Sequence, residues 1–478
     1  MAWLVAGIGL IWVKDAYAQI PHRSRMTPKT QLARYGLFDT RVPRYTSYPT
    51  ATHFSQATRP RDFTAWIQAI PPGSEISLYA HVPFCRRLCW FCACRTQGTQ
   101  SDAPVRAYVD TLLAEIALLR AALPEGVRLS RIHWGGGTPT LLAPDLVTRL
   151  AEAMFALAPT TDRAEFSVEI DPNEIDAARL DALAAAGMNR ASIGVQDFDP
   201  DIQKAIGREQ RFEVTEAVVM DLRDRGIRSL NTDILYGLPF QTPVKITESV
   251  QKLLSLQPDR VALYGYAHVP WMARRQNLIP NEALPTPEAR LDLFETARRL
   301  FRWDNYAEIG IDHFAHQGDG LAVAAAERRL HRNFQGYTDD SATVLIGLGA
   351  SAISRFPQGY AQNASGTAQY QKAIRAGGFA TVRGHDFAGD DAMRARMIEM
   401  IMCDFAVDGR ELVRVFKVPE ARITALFRAA QEQFGGMVEL DSGALSFRIP
   451  PDARPLTRMI ARAFDRYEAP AGSHSVAT

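Results

Sequence analysis

From residue 76 to 313 the chain alternates between short apolar or β-branched runs and longer stretches with apolar residues every three or four positions. The short runs fall at 76–82, 129–134, 165–170, 190–195, 230–235, 260–266 and 307–313, and are read as strands. The stretches at 105–119, 144–157, 175–186, 213–225 and 246–256 carry the spacing of helices with one buried face. A strand and helix alternating in units of about 30 residues argue for parallel strands joined by right-handed crossovers. Six or so units predict an α/β fold, a partial (β/α)6 TIM-like barrel, although periodicity alone does not exclude an open sheet. No internal repeat stands out.

At 384 the alternation stops. Helical patterns at 390–403 and 421–433 precede a hairpin-like 436–448 and a last helix at 455–467. This predicts a small helical domain with a β-wing, ending in a small, polar tail, 469–478, expected to be disordered. The chain therefore divides into a segment 26–75, a barrel 76–383 and a C-terminal domain 384–478.

Length and composition fit this division. A chain of 478 residues exceeds what one compact core serves. With 47% hydrophobic residues, 22% charged residues and a net charge of +1, no global field favours nucleic acid or an acidic membrane. Residues 2–13 form an apolar run before an Ala16-Tyr17-Ala18 triplet that resembles a signal-peptidase site. The run is short of the about 20 residues a spanning helix needs, and no positive charge precedes it. Residues 1–25 are read as outside the fold, with Met26 as the natural start; a weak anchor or signal is the other reading.

The cysteines change the picture most. Four of the five crowd into Tyr79-Ala80-His81-Val82-Pro83-Phe84-Cys85-Arg86-Arg87-Leu88-Cys89-Trp90-Phe91-Cys92-Ala93-Cys94, whereas a disulfide framework would spread them. Three closely spaced thiolates can hold three irons of a cubane cluster, leaving the fourth iron open. Structural zinc competes, but it wants four ligands, usually in two separated pairs. Trp134-Gly135-Gly136-Gly137-Thr138-Pro139-Thr140 follows at the next strand end, where glycines admit close backbone approach to a ligand. By itself such a run is as easily a turn. Later strand ends carry Glu169 and Asp171, Gln196 and Asp197, and Asp233. In a parallel barrel these ends collect the chemistry, and carboxylates there suit ribose hydroxyls or an ammonium group. Salt bridges and caps inside the mouth are the plainer reading of any one of them.

The Cys-x3-Cys-x2-Cys spacing resembles that of radical S-adenosylmethionine (radical SAM) enzymes. More specifically, the chain resembles the oxygen-independent coproporphyrinogen III oxidases (dehydrogenases) from about residue 40 to 465. The resemblance rests on Pro43-Arg44-Tyr45-Thr46-Ser47-Tyr48-Pro49-Thr50-Ala51, Cys92-Ala93-Cys94, Gly194-Val195-Gln196-Asp197-Phe198, residues 233–239, Tyr266-Ala267-His268 and His331-Arg332-Asn333-Phe334-Gln335-Gly336-Tyr337. It implies a [4Fe-4S] cluster on Cys85, Cys89 and Cys92, with Cys94 unligated, and two S-adenosylmethionine molecules per chain. Tyr79, Gly136, Glu169 and Ile353 match positions around the cluster-bound molecule. Phe91, Gly137, Thr138, Gln196, Arg208, Asp233 and Ala267 match positions around the second. Tyr79 and His81 alternate along one strand, face the same side, and are the candidate catalytic pair.

The implied reaction belongs to heme biosynthesis. A 5′-deoxyadenosyl radical takes a hydrogen from the β-carbon of a propionate on ring A or B of coproporphyrinogen III. Loss of CO2 and one electron then leaves a vinyl group, giving protoporphyrinogen IX. An unactivated C–H bond offers no acidic proton, so a radical initiator is required. An electron donor such as a flavodoxin or ferredoxin, an unidentified electron acceptor, a cytoplasmic monomer and no nucleic acid complete the expectation. Arg44 and Arg332 are expected to meet substrate carboxylates, with Tyr45 and Phe334 offering flat apolar surface. A related heme-binding chaperone is the rival reading, but that branch lacks the Cys92-Ala93-Cys94 ending and the 44–50 segment. Leu235, where isoleucine is common, and the two chain ends depart from the family pattern without touching this chemistry.

Overall fold

The computed structural model describes residues 29–468 and 476–477, so the reading of residues 1–25 lies outside the described residues. Six parallel strands run in chain order across one sheet: β1 (Glu75–Val82), β2 (Arg128–Gly136), β3 (Thr160–Ile170), β4 (Arg190–Gln196), β5 (Ser229–Tyr236) and β6 (Arg260–Gly265). Helices α1 (Ala103–Ala122), α2 (Pro144–Phe155), α3 (Ala177–Ala185), α4 (Phe212–Asp224) and α5 (Pro243–Ser255) return the chain between them, as the apolar spacing predicts. In α1 the buried Val105, Val109, Leu112, Ile116 and Leu119 repeat at three- and four-residue steps, and Pro104 sits in the first turn, where its missing N–H costs nothing. These elements enclose one continuous apolar core.

The seventh expected strand, 307–313, is a correction. After helix α6 (Pro287–Trp303) the chain forms an antiparallel hairpin, β7 (Tyr306–Ile309) and β8 (His313–His316), with β8 paired to β6. Gly310, at φ +54°, makes the turn that breaks the run. Beyond it lie four more strands of this sheet, outside the alternation read above: β9 (Val344–Leu348), β10 (Ile353–Phe356), β11 (Gly359–Asn363) and β12 (Thr381–Asp386). β9 pairs in parallel with β1 and the others continue antiparallel, giving the order β12-β11-β10-β9-β1-β2-β3-β4-β5-β6-β8-β7.

The C-terminal part holds α7 (Asp391–Asp404), α8 (Gly409–Phe416), α9 (Glu420–Phe434) and α10 (Thr457–Arg462) around a three-stranded sheet. The last helix is shorter than expected at both ends: a 3-10 turn, Pro451–Leu456, takes its beginning, and it stops at Arg462. A second apolar core fills this part and includes Leu32, Leu37, Phe38, Val42, Tyr45 and Tyr48 from before the barrel. Disorder was expected from 469; Val476 instead pairs with Arg41, and Ala477 N–H donates to the Thr40 carbonyl (2.9 Å). The rest of the tail lies outside the described residues. No helix among the described residues is long and apolar enough to cross a membrane.

Candidate active site

Strand register brings the predicted side chains together. Tyr79 on β1 lies beside His133 on β2, and Gly194 on β4 beside Asp233 on β5. The cysteine loop leaves the end of β1. Its base is clamped where Gln97 N–H donates to the Pro83 carbonyl (2.7 Å) and Thr99 N–H to that of Cys85 (3.0 Å). Further along, Trp90 N–H donates to the Ile206 carbonyl at 2.9 Å, and the Gln276 side chain donates to the Phe91 carbonyl at 2.7 Å. No disulfide joins any cysteine: Cys85, Cys89 and Cys92 are half-buried, Cys94 is exposed and Cys403 is buried elsewhere.

The thiols differ in how readily they ionise. Burial pushes Cys85 up to about 11. Burial also raises Cys89, against the opposing pull of Arg208, whose Nη1 lies 3.7 Å from its sulfur. Cys92 is lowered to about 6, first by the hydrogen bond from the Cys94 side chain; Cys94 N–H also donates to its sulfur at 3.4 Å. Cys94 thus stands as a donor to Cys92.

The glycine run packs against this loop. Gly136, at φ +116°, would place a Cβ 2.6 Å from the His81 ring. A Cβ on Gly137 would lie 2.5 Å from the Phe84 carbonyl oxygen. Gly137 N–H donates to the Val82 carbonyl and Thr138 N–H to that of Phe84, each at 2.8 Å. Only a strand end without side chains can press this closely on the thiol loop.

Tyr79 and His81 face the same side, as alternation requires. His81 Nε2 lies 3.0 Å from the Arg95 carbonyl, which can only accept, so Nε2 carries the hydrogen. Nδ1 then accepts from the Tyr79 hydroxyl at 2.9 Å. Burial lowers the His81 pKa, and with both nitrogens engaged the neutral ring acts as a brace.

Two carboxyl groups face the mouth in different states. Burial works against ionising Glu169, but His133 and the Gly136 N–H (2.9 Å) outweigh it and lower its pKa. Asp233 is pushed up to about 7, first by burial and then by the Glu169 charge, while Asn231 donates to it at 2.9 Å. Gln196 ends β4 in the left-handed region, at φ +71°, beside a register shift against β5. Arg208 is anchored by Asp171 (3.0 Å), the Gly194 carbonyl (2.9 Å) and Gln210 (3.0 Å), with its Nε lacking a hydrogen-bond partner among the described residues. Asp197 does not join the mouth: it is fully buried and accepts from Ser249 and Gln241. Ile353 begins β10, on the far side of β9 from β1.

Gln276, fully buried, is a residue the sequence reading missed. Its amide donates to the carbonyls of Phe91 and Ala267 (2.7 and 3.0 Å) and accepts from Val269 N–H (2.6 Å), tying the thiol loop to the turn after β6. The signal was faint, a lone glutamine in a loop without periodicity.

A cavity of about 730 Å3 opens between the ends of β5 and β6, helix α6 and the C-terminal part. Arg44, Arg332, Arg458, Asp312, Tyr236 and Gly265 line its inner end. Arg44 and Arg332 are therefore together, as expected. Tyr45 is a correction: only 4% exposed, it packs in the second core and its hydroxyl donates to Asp465 at 3.0 Å, so it has no face to offer a ligand. Phe334 packs edge-on against Tyr360 and is not among the residues lining this cavity.

The profile of the Radical SAM superfamily matches residues 79–253. The oxygen-independent coproporphyrinogen III oxidase of Paracoccus denitrificans is 63% identical over 95% of this chain and 100% of its own length. Its counterpart in Cereibacter sphaeroides is 59% identical over 93% of this chain and 98% of its own. The chain belongs to the oxygen-independent coproporphyrinogen III oxidase family. The solved coproporphyrinogen III oxidase of Escherichia coli, described as a radical SAM enzyme, superposes with a TM-score of 0.85 at 36% identity, covering 90% of this chain and 100% of that one.

The radical SAM superfamily works with a [4Fe-4S] cluster and S-adenosylmethionine, and the donor set here fits both. Three disulfide-free thiols share one clamped loop, and a guanidinium and hydrogen-bond donors wait on their sulfurs to meet anionic thiolates. A cubane takes one thiolate at each of three irons, and with Cys94 hydrogen-bonded to Cys92 the loop offers three.

Proposed function

We propose that this chain carries out oxygen-independent oxidative decarboxylation of the ring A and ring B propionates of coproporphyrinogen III, giving protoporphyrinogen IX for heme biosynthesis. The observation that carries this reading is the clamped Cys85-Cys89-Cys92 loop seated on the Gly136–Gly137 strand end, in a chain 63% identical along 95% of its length to an enzyme of that name. The relatives described above are named as oxidases, which favours catalysis over heme carriage.

Cys85, Cys89 and Cys92 would hold the cluster. When bound and reduced, it supplies the electron that splits S-adenosylmethionine and so generates the hydrogen-abstracting radical. The chain's own groups orient and exclude. Tyr79, Gly136, Glu169 and Ile353 surround the first S-adenosylmethionine, with the ionised Glu169 suited to its cationic end. Phe91, Gly137, Thr138, Gln196, Arg208, Asp233 and Ala267 surround a second. Arg208 can offer its Nε to a carboxylate there, and Gln276 fixes two of these positions, Phe91 and Ala267, relative to each other. His81 holds the Tyr79 hydroxyl in place. Segment 26–75 covers the substrate side, barrel 76–383 does the chemistry, and 384–478 closes the cavity. A flavodoxin or ferredoxin would donate the electron, an unidentified acceptor would remove one, and the enzyme would work as a cytoplasmic monomer.

The test is anaerobic. Reconstituted protein with S-adenosylmethionine and a low-potential reductant should release two CO2 per coproporphyrinogen III consumed. Tight heme binding without CO2 release would assign the chain to heme carriage.

A further inference from the structure

Three arginines from three distant parts of the chain meet at the inner end of the cavity. Arg44 precedes the barrel, Arg332 lies in the short strand His331–Asn333, and Arg458 is on α10. Their partners are unusual for buried cations. Arg44 Nη2 donates to the Gly265 carbonyl at 2.5 Å. Arg458 donates to three carbonyls, of Pro43 (3.0 Å), Ala477 (3.0 Å) and Val42 (2.5 Å). Among the described residues neither has a carboxylate in ion-pairing reach. Arg332 is 7% exposed, and its Nε and Nη1 have no hydrogen-bond partner among the described residues; Asp312 stands 3.7 Å from Nη1.

The charges do not balance here. Arg44, Arg332 and Arg458 bring three positive charges against one from Asp312, leaving two in excess. Among the other charged residues lining the cavity cations and anions match, with Lys29, Arg298, Arg302 and Arg454 against Asp292, Glu295, Glu308 and Asp452: Lys29 pairs with Asp292 (2.7 Å), and Arg298 with Glu295 (3.0 Å) and Glu308 (2.9 Å). The strain of the inner group shows in its titration. Burial and then Arg44 push Arg458 down to about 9, which still leaves it cationic at neutral pH. Burial opposes the Asp312 charge, yet Arg332, His313 and Arg44 hold that carboxyl at about 2. Carbonyl oxygens meet a guanidinium's geometry without cancelling its charge, so the vacant N–H groups of this cluster are set for an anion of planar, carboxylate type.

We propose that Arg44, Arg332 and Arg458 form the docking site for the propionate carboxylates that the substrate keeps, those of the rings not being decarboxylated. This rests on the function proposed above and names the part of that site that recognises substrate. Losing CO2 moves negative charge out of a carboxylate, and a guanidinium pair would hold it there. Carboxylates clamped by arginine are therefore the retained ones. Tyr236 and Phe294, whose rings pack at 5.4 Å and which both line the cavity, supply the apolar surface for the macrocycle that Tyr45 cannot. Because Arg458 is on α10, the C-terminal part completes the substrate site.

The experiment compares reconstituted full-length wild type with Arg332→Gln, Arg44→Gln, Arg458→Gln and Arg458→Lys, measuring KM and kcat for coproporphyrinogen III, cluster iron, melting temperature, and equilibrium binding of coproporphyrin III and its tetramethyl ester. The acid should bind and the uncharged ester should not. Arg332→Gln and Arg44→Gln should each raise KM and weaken binding of the acid about tenfold to hundredfold, the loss expected for one charge-assisted hydrogen bond, with kcat changing far less. Arg458→Lys keeps the charge and should recover part of the affinity, unlike Arg458→Gln. Should Arg458 variants melt early through loss of their carbonyl bonds, Arg44→Gln, which gives up a single one, decides. KM within twofold of wild type in both Arg332→Gln and Arg44→Gln, with iron and melting intact, overturns the proposal and leaves the reaction standing. Wild type that neither binds coproporphyrin III nor releases CO2 overturns the reaction and the proposal together.

Discussion

Around the thiol loop, nearly every polar group comes from a strand end within a few residues of a contiguous motif. Cys85, Cys89 and Cys92 share one loop, Gly136 and Gly137 share one strand end, and Glu169 and Asp233 lie in the C-terminal halves of strands of the same sheet. The cavity beside β6 is assembled otherwise: Arg44, Arg332 and Arg458 are each more than a hundred residues from the next and meet because the second core pins the first segment to the C-terminal helices. The electrostatics differ as well. At the mouth a lowered Glu169 and a raised Asp233 share a crowded acidic space, whereas at the cavity an excess of guanidinium is satisfied by carbonyls. A reaction common to a superfamily is written in local motifs, and recognition of one substrate is written in tertiary packing.

The largest effect that would break this comparison is loss of the cluster. Cys85→Ala, Cys89→Ala and Cys92→Ala should each abolish cluster iron, visible absorbance and all turnover, while Cys94→Ala keeps the iron. Equal iron loss in Cys94→Ala would mean that the ligand set is misread. Next is Gly137→Ala, whose methyl must displace the Phe84 carbonyl from 2.5 Å. It should destabilise the apoprotein by about 1–3 kcal/mol, read from denaturant melts, and lower cluster occupancy; a neutral substitution would show that the contact yields.

Arg208→Ala should bind one equivalent of S-adenosylmethionine in equilibrium dialysis where wild type binds two. Unchanged stoichiometry would confine Arg208 to its bonds with Asp171 and Gln210. Gln276→Leu leaves the Phe91 and Ala267 carbonyls and the Val269 N–H unmet, and should cost about 1–3 kcal/mol and raise the KM for S-adenosylmethionine severalfold. A melting change without a KM change would make the glutamine purely structural.

A pH-dependent effect, which leaves turnover aside, concerns Glu115, buried in α1 where Gly349, Asn363 and Tyr370 donate to it, each at 2.7 Å. Burial nonetheless raises its pKa from 4.5 to about 7. A carboxyl raised on folding contributes stability that is complete below its unfolded value and lost as pH climbs through the folded one. Relative to Glu115→Gln, wild-type apoprotein should therefore lose stability between about pH 4.5 and pH 7, by at most about 3 kcal/mol. Parallel pH profiles for the two proteins would refute the assignment.

The six barrel strands were legible because apolar residues recur in short runs between the longer helical stretches, as with Leu129, Ile132 and Trp134, or Ala191, Ile193 and Val195 at every second position. The run at 307–313 misled because Gly310 turns the chain inside it, which composition does not reveal. Strands β9 to β12 escaped notice because they are short and parted by turns. At the site, the cysteines and glycines were legible because their spacing is the chemistry. Tyr45 was misplaced because an aromatic residue reads the same whether it faces a ligand or a core, and only the packing of Val42, Tyr45 and Tyr48 with α7 and α10 decides. Arg458 was invisible for a similar reason. Its partners are main-chain carbonyls, two of them more than 400 residues away, and carbonyls leave no mark in sequence.

The central claim is that the barrel mouth delivers a radical to a propionate β-carbon while the rest of the substrate is held elsewhere. Its most direct test uses coproporphyrinogen III deuterated at the propionate β-carbons, turned over anaerobically by the reconstituted protein, with deuterium counted in the 5′-deoxyadenosine released. The account predicts deuterium in that product in step with CO2 release, and neither from Cys89→Ala. Vinyl product formed without deuterium in 5′-deoxyadenosine would contradict it.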